Sequence, residues 1–378
     1  MTRACEVLAV VGARPNFMKV APILHAAEGV PSLRFTLAHT GQHYDAALSD
    51  QFFRELGMRE PDVHLKVGSA SHAVQTARIL ERFEEVLLER RPDLVLVAGD
   101  VNSTLGCSLA AVKLGIPVAH VEAGLRSGDR TMPEEINRIV TDSVSDLLLT
   151  TSRDADDNLE QEGVPSDLIH FVGNTMIDTL RKFEDAARKR KSCESHGARE
   201  GEYALVTLHR PSNVDDEAGL VRVLDLLATL SGRSPVLLPL HPRTEASLAR
   251  HGLAARLDQL GQVKRLPPLG YLDFLSLMAT ARLVLTDSGG VQEETTALGV
   301  PCFTLRPSTE RPVTVTSGTN LLVSDRIEEQ TEAIDAFLSG RLELSAKIPE
   351  LWDGAAGPRI VRVLEHWSES GRPSRVRP

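Results

Sequence analysis

Short β-branched apolar runs alternate with longer stretches of helical period almost from end to end of the chain. Runs at 6–11, 33–39, 94–98, 118–121 and 147–150 predict one set of strands, and runs at 203–208, 236–240, 283–286, 302–305 and 321–323 predict a second. Several are apolar at every position (VLAVV, LVLVA, LVLT), which suits strands covered by helices on both faces. The segments between them, such as 103–114 and 271–281, space their apolar residues three and four apart, the helical period. Regular strand–helix alternation predicts an α/β protein with parallel, doubly wound sheets.

The alternation pauses once, at 182–202, where KFEDAARKRKSCESHGAREGE carries almost no large apolar side chain before a new strand, YALVTLH. Two parallel αβα domains in tandem are expected, 1–175 and 176–355, with a C-terminal helix at about 356–372 joined to the first. Trp352 and Trp367 read as packing anchors for that last helix. In open parallel sheets, ligands bind outside the carboxyl ends of the strands. The polar residues just after each strand therefore carry the functional signal, and two such domains are expected to place a ligand in the cleft they share.

Composition narrows the classes. At 378 residues the chain has room for two cores, and 42% hydrophobic with 25% charged residues is a globular balance. Its net charge of −10 disfavours general nucleic-acid binding, which needs a basic surplus. A phosphate ligand would have to be held locally, by backbone amides and a few placed cations. No stretch approaches the roughly 18 apolar residues of a membrane span, and Gly-Ala-Arg-Pro interrupts the first apolar run too early for a secretory signal. A cytoplasmic protein with neither a nucleic-acid nor a membrane partner is expected. The four cysteines are scattered, with no CxxC pair or metal-ligand spacing, and read as free buried thiols.

Chemistry gathers at the strand ends. After the first strand, GARPNFMK puts Arg14 and Lys19 near a helix N-terminus, where cations are unfavourable unless an anion bridges them; two solvated surface charges account for them equally well. The same turn lacks the GxGxxG of a nicotinamide-binding domain. LVLVAGDVNST places Asp100 at a strand end, with Ser103 as a helix N-cap. In PVAHVEAGLR, His120 and Glu122 are two apart and point the same way if the strand runs that far. Glu134 and Glu135, in the first turn of the next helix, read as dipole compensation. In the second half His209, Arg210 and His241 follow strands, and Ser288-Gly289-Gly290 makes a bare-amide turn suited to an anion. Asp154 and Asp156 form a DxD, but at a helix start capping accounts for them better than a metal.

In order along the chain stand VVGARPNFMKVAPIL, TGQHYD, GDVNSTL, HVEAGLRSGDRTMPEEINR, VGNTMIDTL, TLHRPSN, LTDSGGVQEETTALGVP and TERP. Together they resemble the bacterial non-hydrolysing UDP-N-acetylglucosamine 2-epimerases, over about residues 6–325. The resemblance implies two Rossmann-like domains in the GT-B arrangement, a UDP-sugar in the interdomain cleft, a homodimer and no cofactor. It implies that Arg14 and Lys19 meet the diphosphate, Phe274 flanks the uracil, Ser288, Gly289 and Gly290 wrap the phosphates, and Glu294 takes the ribose hydroxyls. His241 and Arg311 join the nucleotide site, and Asp100, Glu122, Glu134 and His209 fall on positions that the family assigns to catalysis. For Glu134 this replaces the dipole account.

The chain departs from the family at GARPN (for GTRPE), HRPSN (for HRREN) and Ser69-Ala70, where substrate-activated members carry Arg-Gln. Gln42 and His43 remain as possible contacts of an allosteric site, and activation by substrate is expected to be weak. The implied reaction inverts C2 of the sugar by anti elimination of UDP to a 2-acetamidoglucal, followed by re-addition. The alternatives are a 2-epimerase of another UDP-sugar (a diacetamido uronic acid), a hydrolysing epimerase, which shares nearly all these motifs, and a GT-B glycosyltransferase, which shares the fold and the phosphate cradle.

Overall fold

The computed structural model describes residues 3–42, 56–323, 326–344 and 347–374. The chain divides into two compact units: Met1–Thr179 together with Glu350–Pro378, and Leu180–Pro349. The first holds a seven-stranded sheet of order β3-β2-β1-β4-β5-β6-β7, built from β1 (Cys5–Val11), β2 (Leu33–His39), β3 (Val63–His64), β4 (Leu94–Ala98), β5 (Val118–Ala123), β6 (Leu147–Thr150) and β7 (Ile169–Phe171). The second holds six strands in the order β10-β9-β8-β11-β12-β13: β8 (Ala204–Thr207), β9 (Val236–Pro239), β10 (Val263–Leu266), β11 (Leu283–Thr286), β12 (Cys302–Leu305) and β13 (Asn320–Val323). All pairings are parallel. Each sheet reverses its winding direction next to its first strand, between β1 and β4 in one unit and between β8 and β11 in the other. At such a switch point the flanking loops diverge and leave room for a ligand.

Ten strands coincide with the predicted runs to within two residues at either end. The three that the pattern missed, β3, β7 and β10, all lie at sheet edges. An edge strand is not covered like a central one, so VH, IHF and VKRL need not be continuously apolar.

In the first unit the helix His72–Arg90 buries Gln75, Ile79, Phe83 and Leu87, one residue per turn. Ile79, Phe83 and Leu87 pack with Leu8, Val10, Val95, Val97 and Val118 of the central strands, each full burial contributing about 1.5–3 kcal/mol. In the second, Leu220, Leu224 and Leu227 of the helix Glu217–Ser231 pack on β8, β9 and β11. The helix Ala356–Glu369 returns to the first unit. Asp178 accepts from the amides of Ala356 (3.0 Å) and Gly357 (2.7 Å), and a side chain on Gly357 would run into Pro22. Both tryptophans anchor this segment: buried Trp352 donates Nε1–H to the Thr151 carbonyl (2.9 Å), and Trp367 to that of Pro373 (2.8 Å). All four cysteines are buried free thiols. Among the described residues no helix is long and apolar enough to cross a membrane.

Candidate active site

At the switch point of the first unit, the loop after β1 opens the helix Arg14–Ala27. Asn16 ties that loop down: its Oδ1 accepts from Gly12 N (3.2 Å) and Ala13 N (2.9 Å), while Nδ2 donates to the Ala98 carbonyl at the end of β4 (2.7 Å). Asparagine thus stitches β1 to β4 at the position where the family often has glutamate. Gly12 is required by close packing, because a side chain there would overlap Ser103 and Thr40. Ser103 is not the N-cap expected of it. The helix Asn102–Lys113 is capped by Val101, and the Ser103 hydroxyl and amide both bond Gln42 Oε1 (2.7 and 3.0 Å).

Lys19 lies one turn further into the first helix and is buried. Its ammonium ion-pairs with Glu122, which is buried as well. Gly99, at the end of β4, makes space for this pair; it adopts φ +69°, and a Cβ there would sit 2.7 Å from Lys19 Nζ. The expectation that His120 and Glu122 share a face fails. The pairing of β5 with β6 shifts register between Val121 and Ala123, and Glu122 takes φ +70°, a left-handed conformation that costs a bulky residue about 1–3 kcal/mol. A bulge of this kind re-aims one side chain. Glu122 turns to Lys19, while His120 points to Asp142 (2.6 Å) and the Gly99 carbonyl (2.8 Å).

Asp142 centres a second network, accepting from Gly124 N (3.1 Å) and Arg126 Nη1 (2.7 Å) as well. Burial disfavours its ionisation, but His120 and Arg126 outweigh this and hold the carboxyl below the ordinary range. Asp100, half-exposed, ion-pairs with Arg138, which also holds Glu135 (2.7 Å). Glu135 accepts from Ser127 N (3.0 Å) and Gly128 N (2.9 Å). The adjacent glutamates therefore differ: Glu135 is buried in the scaffold, and Glu134 is half-buried and stands outside these ion pairs. Arg14's side chain and His43 lie outside the described residues. Asp156 takes the Thr150 hydroxyl at the start of the helix Arg153–Gln161.

In the second unit, β11 runs into Asp287 and the turn Ser288-Gly289-Gly290, which opens the helix Gly289–Leu298 with its amides bare of a capping side chain. A Cβ on Gly289 would lie 2.6 Å from Arg311 Nη1 and 2.8 Å from Glu310 Oε1. Buried Arg311 pairs with Glu310 and with Glu293 (2.7 Å), and Glu310 with Arg306 (2.7 Å). Burial raises the Glu310 carboxyl, but the two guanidiniums push it far below the usual range. Glu294 is buried one turn into the helix, with Oε1 taking the Tyr271 hydroxyl (3.0 Å). Phe274, half-buried, lies on the helix Tyr271–Ala279. His241 caps the helix Pro242–Arg250 by accepting from Arg243 N (3.1 Å), and its ring lies 5.2 Å from that of His209.

Sequence reasoning placed the strand-end residues but missed the side chains that hold them: Asn16, Arg138, Asp142, Tyr271 and Asp287. Asp287 and Asp142 follow or flank motifs already in view, yet nothing in their spacing distinguishes a buried acceptor from a surface acid.

Comparison with known proteins fits this geometry. The profile of the UDP-N-acetylglucosamine 2-epimerase family matches residues 25–365. The UDP-N-acetylglucosamine 2-epimerase of Methanococcus maripaludis is 39% identical over 94% of this chain and 97% of its own. The UDP-2,3-diacetamido-2,3-dideoxy-D-glucuronate 2-epimerase of Pseudomonas aeruginosa is 42% identical over 95% and 99%. The crystal structure of Methanocaldococcus jannaschii UDP-GlcNAc 2-epimerase in complex with UDP-GlcNAc and UDP is similar with a TM-score of 0.88 at 40% identity, covering 96% of this chain and 99% of that one. By profile, sequence and fold, this chain belongs to the UDP-N-acetylglucosamine 2-epimerase family.

Proposed function

We propose that the protein interconverts UDP-N-acetylglucosamine and UDP-N-acetylmannosamine. Inversion at C2 is demanding because the C2 proton is not adjacent to a carbonyl, so a good leaving group has to depart as that proton is removed. The proposed course is anti elimination of UDP across C1–C2, giving a 2-acetamidoglucal, and re-addition with the proton returned to the opposite face. The Ser288-Gly289-Gly290 turn meets the phosphates with the amides of Gly289 and Gly290, and Arg14, Lys19 and Arg311 offset the negative charge that builds on the leaving oxygen. Glu294 takes the ribose, and Phe274 and His241 border the nucleotide. Asp100, Glu122 and Glu134 are the proton-transfer groups, with His209 at the leaving oxygen.

The observation that carries this reading is the Lys19–Glu122 pair. A carboxylate held in a strained backbone conformation, beside a lysine at a topological switch point, is better suited to chemistry than to stability. A homodimer in the cytoplasm, with a second UDP-sugar site near Gln42 and His43 weakened by Ser69-Ala70, completes the proposal. The 42% identity to the diacetamido-glucuronate enzyme supports a second reading, in which the sugar is a UDP-linked uronic acid. The test supplies each UDP-sugar separately to desalted enzyme and identifies products by NMR. Epimer from UDP-N-acetylglucosamine is expected. Epimer from the uronate alone selects the second reading, and free sugar or no product overturns both.

A further inference from the structure

One carboxylate in the second unit has no part in the reaction as described, yet it is among the most buried polar groups at the switch point. Asp287 is 0% exposed and stands between β11 and the Ser288-Gly289-Gly290 turn. It gathers donors from across the switch. Both of its oxygens accept from His209 N (3.1 Å), and Oδ2 also accepts from Arg210 N (2.9 Å) and Asn213 Nδ2 (3.0 Å). His209 Nδ1 lies 3.2 Å from Oδ1. Every neighbour is a donor, as an acceptor-only carboxylate requires.

An imidazole nitrogen facing a carboxylate carries the proton, which leaves Nε2 as the atom that exchanges protons with a reactant. The charged surroundings of His209 come from three directions: Asp287 from the end of β11, Arg210 from its own loop, and Arg243 with the His241 ring from the helix Pro242–Arg250. Arg243 is itself held by Asp215 at 2.6 and 2.7 Å. Burial lowers the proton affinity of His209, Asp287 raises it, and the two arginines lower it. Asp287 is thus the one group here that stabilises the imidazolium.

We propose that Asp287 is a positioning residue that acts through His209, holding the proton on Nδ1 so that Nε2 serves the departing nucleotide. The proposal rests on the epimerase reading for its chemistry. As the C1–O bond breaks, its electron pair passes to the phosphate oxygen, a carboxylate of the first unit takes the C2 proton, and the His209 Nε2–H proton goes to that oxygen. Re-addition returns both protons.

Two measurements test it, and the first needs no substrate. Nitrogen-15 NMR of the histidines in the free enzyme is expected to show His209 protonated on Nδ1 when neutral, and to show its pKa falling by about one unit in Asp287→Asn. The opposite tautomer in the unmodified enzyme would overturn the proposal even if no variant folds or the substrate has been misassigned. In the second, Asp287→Asn is expected to lose roughly 100-fold in kcat, with its alkaline limb moved to lower pH and UDP affinity retained. In a His209→Asn background the same change should cost less than about threefold, since groups acting as one unit are not additive. Asn213→Ala, which loosens the same loop without removing charge, should leave the His209 pKa in place. Full additivity, or a loss of UDP affinity that matches the loss of kcat, would make Asp287 a structural residue only.

Discussion

The two units share a strand order at their centres but arm their switch points differently. Both read 3-2-1-4-5-6 in their own sequence order, and both place loops at the carboxyl ends of their first and fourth strands. In the first unit the residues that follow those strands are ion-paired, Lys19 with Glu122 of β5 and Asp100 with Arg138. In the second they carry bare amides backed by a buried chain of ion pairs, Arg306–Glu310–Arg311–Glu293, and a histidine resting on a buried aspartate. The fold supplies the position, and on the proposed function the few residues at the strand ends decide whether it moves a proton or holds an anion.

The sharpest way to break this contrast is to damage each switch point separately. Glu122→Gln keeps the shape and removes the proton acceptor, and is expected to lower turnover by about 10²–10⁴-fold with UDP affinity retained. Gly289→Ala should do the reverse. Its methyl group would push against Arg311 and Glu310, so calorimetry should show weakened UDP binding while turnover at saturation falls far less. Matching losses of affinity and turnover in both variants would dissolve the distinction.

Lys19 sharpens the comparison because the proposed function gives it both roles. Lys19→Ala is expected to weaken UDP binding by about one to two decades, the worth of roughly 1.5–3 kcal/mol for a charge-assisted phosphate contact. It should also reduce kcat, since buried Glu122 would lose the ammonium that is paired with it. An unchanged affinity would place the phosphates elsewhere.

A further effect, away from the site, is on stability. His39, at the end of β2 between Phe17 and His64, is buried, and burial followed by the neighbouring His64 lowers its pKa to about 4. Its unfolded counterpart titrates near 6.5, so between these values the unfolded chain binds the extra proton. Stability should therefore rise with pH through this window and be lost on acidification from about 6.5 toward 4, by of order 2–3 kcal/mol. Urea unfolding at pH 7 and pH 5 checks it. His39→Gln should flatten the loss in the first unit, and an unaltered pH dependence would contradict the assignment.

Much of the fold was legible because central strands of a doubly wound sheet must be apolar on both faces, and the edge strands were missed because they need not be. The site was legible in its outline. Strand ends bearing Asp100, Glu122, His209 and Ser288 could be read from the sequence, as could the turn glycines. What could not be read was direction. A one-residue bulge at Glu122 parts it from His120, a reversal of the two-residue rule that no spacing announces. Glu134 and Glu135 are chemically identical neighbours that helix geometry sends to different fates, Glu135 buried in an ion pair with Arg138 and Glu134 left half-buried. Asp287 precedes the Ser288-Gly289-Gly290 turn, and nothing in the sequence marks it as the buried acceptor of the His209 and Arg210 amides.

The central claim is that proton transfer at C2 of a UDP-sugar is driven by residues at the switch point of the first unit. Proton NMR of the sugar during incubation of the enzyme with UDP-N-acetylglucosamine in D2O tests it most directly. The account predicts that the C2 proton signal disappears as the two epimers interconvert, with deuterium at C2 in the product and no accumulation of free sugar. Conversion that keeps the original proton at C2, or no exchange at all, would contradict it.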